Sequence, residues 1–145
     1  MADLSLTSSA VVASAAALAT RRRCVLGATL AAGDVIYLDA ADSHKAKAAD
    51  ANSGTAAARV PAGILLNGGA AGQPAEYIES DTDLTVGSHG LTVGTGIILS
   101  ATAGKMAPIA DATTGWYFTL IAIAKSSTTI SFNARAALSL TTALS

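Results

Sequence analysis

The chain holds 145 residues with a net charge of −1, nine basic against ten acidic side chains, which excludes the broad basic face that grips nucleic acid. Its apolar fraction of 51% includes 34 alanines; aromatics supply only 4% and charges 13%, against roughly 25% charge in an average soluble domain. One cysteine and two histidines exclude an internal disulfide and a Cys/His zinc site, and no apolar run approaches the ~18 residues of a membrane helix. An interior made of methyl groups buries little area per residue at about 25 cal/mol per Å². The composition therefore predicts a thin core that borrows burial from neighbouring subunits, with few charges to oppose such packing.

Residues 1–24 come first and read as an arm. Within it, residues 9–20 have the alanine content of a helix, with Ser8 or Ser9 as N-cap, but no amphipathic pattern, so an extended arm is equally open. Ala13-Ser14-Ala15 has the small residues of a leader cleavage site, yet Met1-Ala2-Asp3 lacks a basic n-region and the arginines follow the apolar stretch. The expectation is no targeting segment and a soluble product made in the cytoplasm. Arg21-Arg22-Arg23 concentrates a third of the lysines and arginines. The run is short for a nucleic-acid tail and has no interleaved aromatics. Guanidinium forks suit carboxylates across a protein interface, with a solvated run as the plainer alternative. Cys24, beside them, reads as a small buried or half-buried apolar residue at a strand start.

Residues 25–145 read as one all-β domain built from two similar halves. Residues 30–54 and 91–115 align without gaps at an offset of 61, and ten of 25 positions are identical, including Leu30/Leu91, Gly33/Gly94, Ile36/Ile97, Leu38/Leu99, Asp50/Asp111 and Gly54/Gly115. The apolar period inside them is two, and turn signals recur at about eight- to twelve-residue spacing, which predicts an antiparallel sandwich or barrel. Strands are expected over 35–38, 63–67, 75–79, 96–99, 116–124 and 128–134, the last two as a hairpin around 125–127. A helical turn is expected over 55–59 before Pro61, and residues 138–145 form a weakly patterned tail.

Chemistry is sparse along this domain. Ser88-His89 sit in a glycine-flanked turn and read as a polar turn rather than a nucleophile and its base. Gly94 and Gly96 precede no Lys-Ser/Thr, so turns explain them better than a phosphate cradle. Glu79, Asp81 and Asp83 alternate at strand spacing; a Ca²⁺ face is conceivable, a solvated face simpler. Trp116, Tyr117 and Phe118 are consecutive, so in a strand at least one faces away from its own core and serves as an interface anchor or a second packed face. No catalytic residue, cofactor or metal site is expected.

The run Gly27-Ala28-Thr29-Leu30-Ala31-Ala32-Gly33-Asp34-Val35-Ile36-Tyr37-Leu38-Asp39 resembles the opening strand pair of the capsid decoration (cement) proteins of tailed bacteriophages. So does Ala46-Lys47-Ala48-Ala49-Asp50-Ala51 leading to Ala58-Arg59-Val60-Pro61-Ala62-Gly63-Ile64. Leu99-Ser100-Ala101-Thr102-Ala103-Gly104-Lys105-Met106-Ala107-Pro108-Ile109-Ala110-Asp111 is similar to the second half of that family. The resemblance spans roughly residues 25–135 and rests on glycine-and-alanine turn patterns. It implies a non-enzymatic virion protein on the outside of an icosahedral head, clamping neighbouring major capsid subunits as a homotrimer, often through a terminal arm. On this reading the partners are the major capsid protein and the chain itself, with no nucleic acid or membrane, and Arg21, Arg22 and Arg23 are the capsid-contact candidates. A head-fibre or adhesin-like module that stacks a host glycan on exposed aromatics is the alternative.

Overall fold

The structure, a computed structural model, describes residues 3–4, 6–15, 18–134 and 143–144. It is all-β, with nine strands in one antiparallel sheet that curls into a half-barrel. In chain order these are β1 Ala19–Val25, β2 Val35–Asp39, β3 Lys45–Ala48, β4 Gly63–Leu65, β5 Pro74–Thr85, β6 Gly96–Leu99, β7 Met106–Pro108, β8 Leu120–Ala124 and β9 Thr129–Asn133. Short 3-10 turns at Ser8–Ala10, Ala40–Asp42, Ala56–Arg59 and Ile109–Asp111 make up the helical content of the described residues. The turn expected before Pro61 is the third of these.

The internal repeat is a repeat of strand pairing. In the first half β2 pairs with β3 and β4, and β4 with β5. In the second, β6 pairs with β7 and β8, and β8 with β9. Each half opens on the same turn. Asp34 N–H donates to Ala31 O at 3.1 Å and Thr95 N–H to Thr92 O at 3.1 Å, with Gly33 and Gly94 both at φ +92°. Only glycine takes that conformation without strain, which explains why both survive in the repeat. The hairpins also share a left-handed residue, Ser43 in one and Gly104 in the other, but the first adds a second, His44. As a result Leu38 faces Ala46, while Leu99 faces Met106 and not Ala107.

The halves are stitched by backbone. Gly104 accepts from Val35 N–H and donates to Ala49 O, Ala51 N–H donates to Ser100 O, and Tyr117 N–H donates to Ala51 O, all at 2.7–2.9 Å. Alternation in β2 then divides the interior. Val35, Ile64 and Ile78 join Ile97, Ala122, Ile130 and Phe132 in the main core. Ile36, Leu65, Ala46 and Tyr77 turn the other way and meet Leu26 and Ala75 inside the curl of the first half. A parallel bridge from Leu26 to Ala46 draws the two edges of that curl together.

The N-terminal segment departs from the expected arm. The boundary drawn after residue 24 falls inside β1, which pairs with β5 from Ala19↔Asp81 to Val25↔Pro74. Leu4 and Val11 are buried in the main core, Leu4 N–H donates to Met106 O, and Val12 bridges Thr85. Of the helix considered over 9–20, the described residues show the Ser8–Ala10 turn, the Val12 bridge, a turn closed by Leu18 N–H on Ala15 O, and the start of β1 at Ala19. A stretch without an amphipathic stripe has no helical face to bury, whereas single apolar residues can plug a sheet. Most of the tail 138–145 lies outside the described residues, but Leu144 pairs through its backbone with Gly115 and Trp116.

Candidate functional site: an arginine-bearing strand beside an open cavity

Strand geometry separates the three arginines. Successive side chains alternate faces, so Arg21 and Arg23 share one face of β1 and Arg22 takes the other. All three are exposed. Arg22 Nε donates to Glu79 Oε2 at 2.9 Å, and that hydrogen bond raises its already high pKa. Arg21 reaches Glu76 only at 4.0 Å. Arg23 forms no ion pair among the described residues. Cys24 is half-buried against the inner cluster, and burial pushes its thiol pKa up, away from the thiolate a nucleophile needs. It lies near the end of β1, not at its start.

Arg22 also lines an open cavity of about 670 Å³, with Leu38, Arg59, Val60, Tyr77 and Glu79 among its walls. Arg59 sits at its edge with its guanidinium carbon 3.6 Å from the centroid of the Tyr117 ring. The stacked face is satisfied by the ring quadrupole, while the N–H fork stays directed around the edge, where a carboxylate binds. Arg59 forms no carboxylate pair among the described residues. Sequence reading missed it because a single arginine after three alanines carries no pattern; only the fold sets it over Tyr117, 58 positions later.

The three aromatics are not arranged as a strand. β8 begins at Leu120, and residues 116–118 form an irregular stretch before it. Trp116 is only 9% exposed and belongs to the main core; Tyr117 and Phe118 are half-buried. Trp116 is therefore withdrawn as a surface anchor, and the glycan-stacking platform loses its largest ring.

The acidic trio is likewise redistributed. Glu79 is the extra residue of a bulge, opposite no residue of β1, and a second irregularity lies between Asp81 and Leu84. The carboxylates consequently share no face: Glu79 holds Arg22, Asp83 lies 3.5 Å from Lys125, and Asp81 is fully buried. The solvated-face expectation is thus corrected at Asp81. Ser88 is exposed but His89 is buried, accepting from Leu91 N–H at Nδ1 (3.1 Å) with Nε2 3.4 Å from Thr129 O. That ring ties the loop to β9, a polar connection in which His89 is buried. Among the described residues no three His, Cys, Asp or Glu side chains are grouped to hold a metal ion.

What this surface can do is bind. It offers guanidinium groups on a strand that pairs, among the named strands, with β5, beside a cavity with mixed apolar and charged walls. Comparison with known families finds no family model that matches the chain, and comparison with curated proteins finds no match either.

Proposed function

We propose that the chain is a structural virion protein that binds the outer surface of an icosahedral phage head and clamps neighbouring major capsid subunits, acting as a homotrimer without catalysis. The observation that carries this reading is β1, with three consecutive exposed arginines, of which Arg23 has no ion pair and Arg21 only a long one among the described residues. Such a row fits an acidic surface on an assembled shell. Arginine forks read paired carboxylates there, and exposed charges that contribute little within the monomer gain value once an interface excludes water. Few charges along the chain are in keeping with a protein that works while packed against others. A protein that binds the closed shell and not its loosened form stabilises the closed one by its binding free energy, repeated over many sites.

Removing residues 1–24 is a poor test, because Leu4, Val11 and most of β1 go with them. Point reversals are cleaner. Heads lacking the protein are mixed with wild type or with an Arg21→Glu/Arg23→Glu variant, and sedimentation measures what binds. The expected result is at least an about tenfold loss of affinity, with wild-type binding weakening as salt rises. Equal binding by the variant overturns β1 as the contact.

A further inference from the structure

Of the charged residues lining the cavity, Arg22 and Glu79 hold each other at 2.9 Å. Arg59 is left over. It closes the Ala56–Arg59 turn, which has no acidic residue in its first turn, and Pro61 two residues on keeps that turn from continuing. The side chain is half-buried, and among the described residues its guanidinium has neither a hydrogen bond nor an ion pair; its partner is the Tyr117 ring, 3.6 Å from the guanidinium carbon. Stacking covers one face of the group and uses none of its N–H donors. Half-burial removes part of the water that would satisfy them, so this guanidinium gains more from an anion than a freely solvated one does. The stack also holds a long side chain in place, so less freedom is lost when an anion meets it.

The remaining walls narrow the chemistry of that anion. Leu38, Val60, Pro61 and Ala62 add an apolar surface, and the volume of about 670 Å³ lies within the roughly 300–1,000 Å³ of small-molecule sites. One positive charge is unmatched, and Glu79 opposes a second negative charge on the ligand. A monoanion with an apolar body therefore fits better than a phosphate dianion.

We propose that the cavity binds an organic carboxylate, its oxygens on the Arg59 fork and its apolar body against Leu38, Val60 and Pro61. The site is separate from the face of β1 that carries Arg21 and Arg23, and it stands whether or not that face meets a capsid. A free fatty acid and an acidic side chain of a partner both present this chemistry, and the test separates them.

The isotope-labelled full chain is titrated with octanoate, with its neutral counterpart octanamide, and with a capped Leu-Glu-Leu peptide, following the Arg59 Nε–H and Val60 N–H resonances. The expected result is saturable shifts, with octanoate or the peptide binding at least about tenfold more tightly than octanamide; the tighter of the two names the source. Arg59→Gln should weaken that binding at least about tenfold, with circular dichroism melts verifying the fold. Val60 is 67% exposed on the cavity rim, so Val60→Glu keeps the test open if the Arg59 variant does not fold. Its added negative charge should weaken the carboxylates and spare octanamide. No saturable shift with either carboxylate, equal binding of octanamide, or undiminished carboxylate binding in a folded variant overturns the site.

Discussion

Asp81 is fully buried in β5 with no ion pair among the described residues, and hydrogen bonds hold its carboxylate. Ser14 gives two of them, its N–H at 2.8 Å and its hydroxyl, and Asp83 N–H gives a third at 2.9 Å. The carboxylate therefore latches the N-terminal segment to the sheet. Replacing it with alanine strands buried donors, so Asp81→Ala should lower unfolding stability by about 3 kcal/mol in a denaturant titration, against about 1 kcal/mol for Ser14→Ala. Equal small losses would contradict the latch. The first hairpin carries an exposed network of different character. Lys47 hydrogen-bonds Asp39 and Asp42, holding both carboxyl pKa values below the usual 3.8, with Ala41 N–H adding to Asp39 and Lys45 to Asp42. Depressed carboxyl values stabilise the fold above pH about 3.8, and that share is lost as pH falls through the folded values. Lys47 is raised above 10.5, so its share is present below that pH and is lost as pH climbs through the folded value. In Lys47→Met, carbon-detected NMR titration should find Asp39 and Asp42 shifted back toward 3.8; unmoved titrations would contradict the pairing.

At the scale of elements, the glycines sort by what surrounds them. A Cβ on Gly63 would overlap the Ile78 carbonyl oxygen and crowd the Tyr77 ring, both in the neighbouring strand, whereas Gly94 has open space and needs only its positive φ. Gly63→Ala should therefore cost about 3 kcal/mol or more and Gly94→Ala about 1 kcal/mol, read from thermal melts. The reverse order would contradict the close approach of β4 to β5. The strands legible in the sequence were those whose own alternation declares them: β2, β4 and β6 lie where period two and flanking glycines put them, and β9 follows the turn at 125–127. β1 was not legible because three arginines and a threonine present no apolar face; its partners come from β5, about 55 residues on. The burial in the second half of β5 was hidden for a related reason. Asp81 and Asp83 signal water, and nothing local reveals that Ser14 satisfies one of them. Arg21, Arg22 and Arg23 were found by charge alone, whereas Arg59 needed the fold, and Trp116 was misplaced because three adjacent aromatics suggested a strand that starts only at Leu120.

For the whole molecule, the repeat explains both what is closed and what stays open. One face of each half is inward, the remaining face of the first half is covered by the second, and the remaining face of the second carries the exposed Ile123 beside the fully buried Ile98. The arginines of β1 form a charged surface, the one proposed to meet the shell. Many weak, repeated contacts of this kind add up on a lattice where a single one would not. The central claim is then a claim about stoichiometry. Quantitative mass spectrometry of purified particles, measuring this chain against the major capsid protein, tests it most directly. A ratio near one to one is the predicted result; a few dozen copies per particle, or none, would contradict a protein that coats the head.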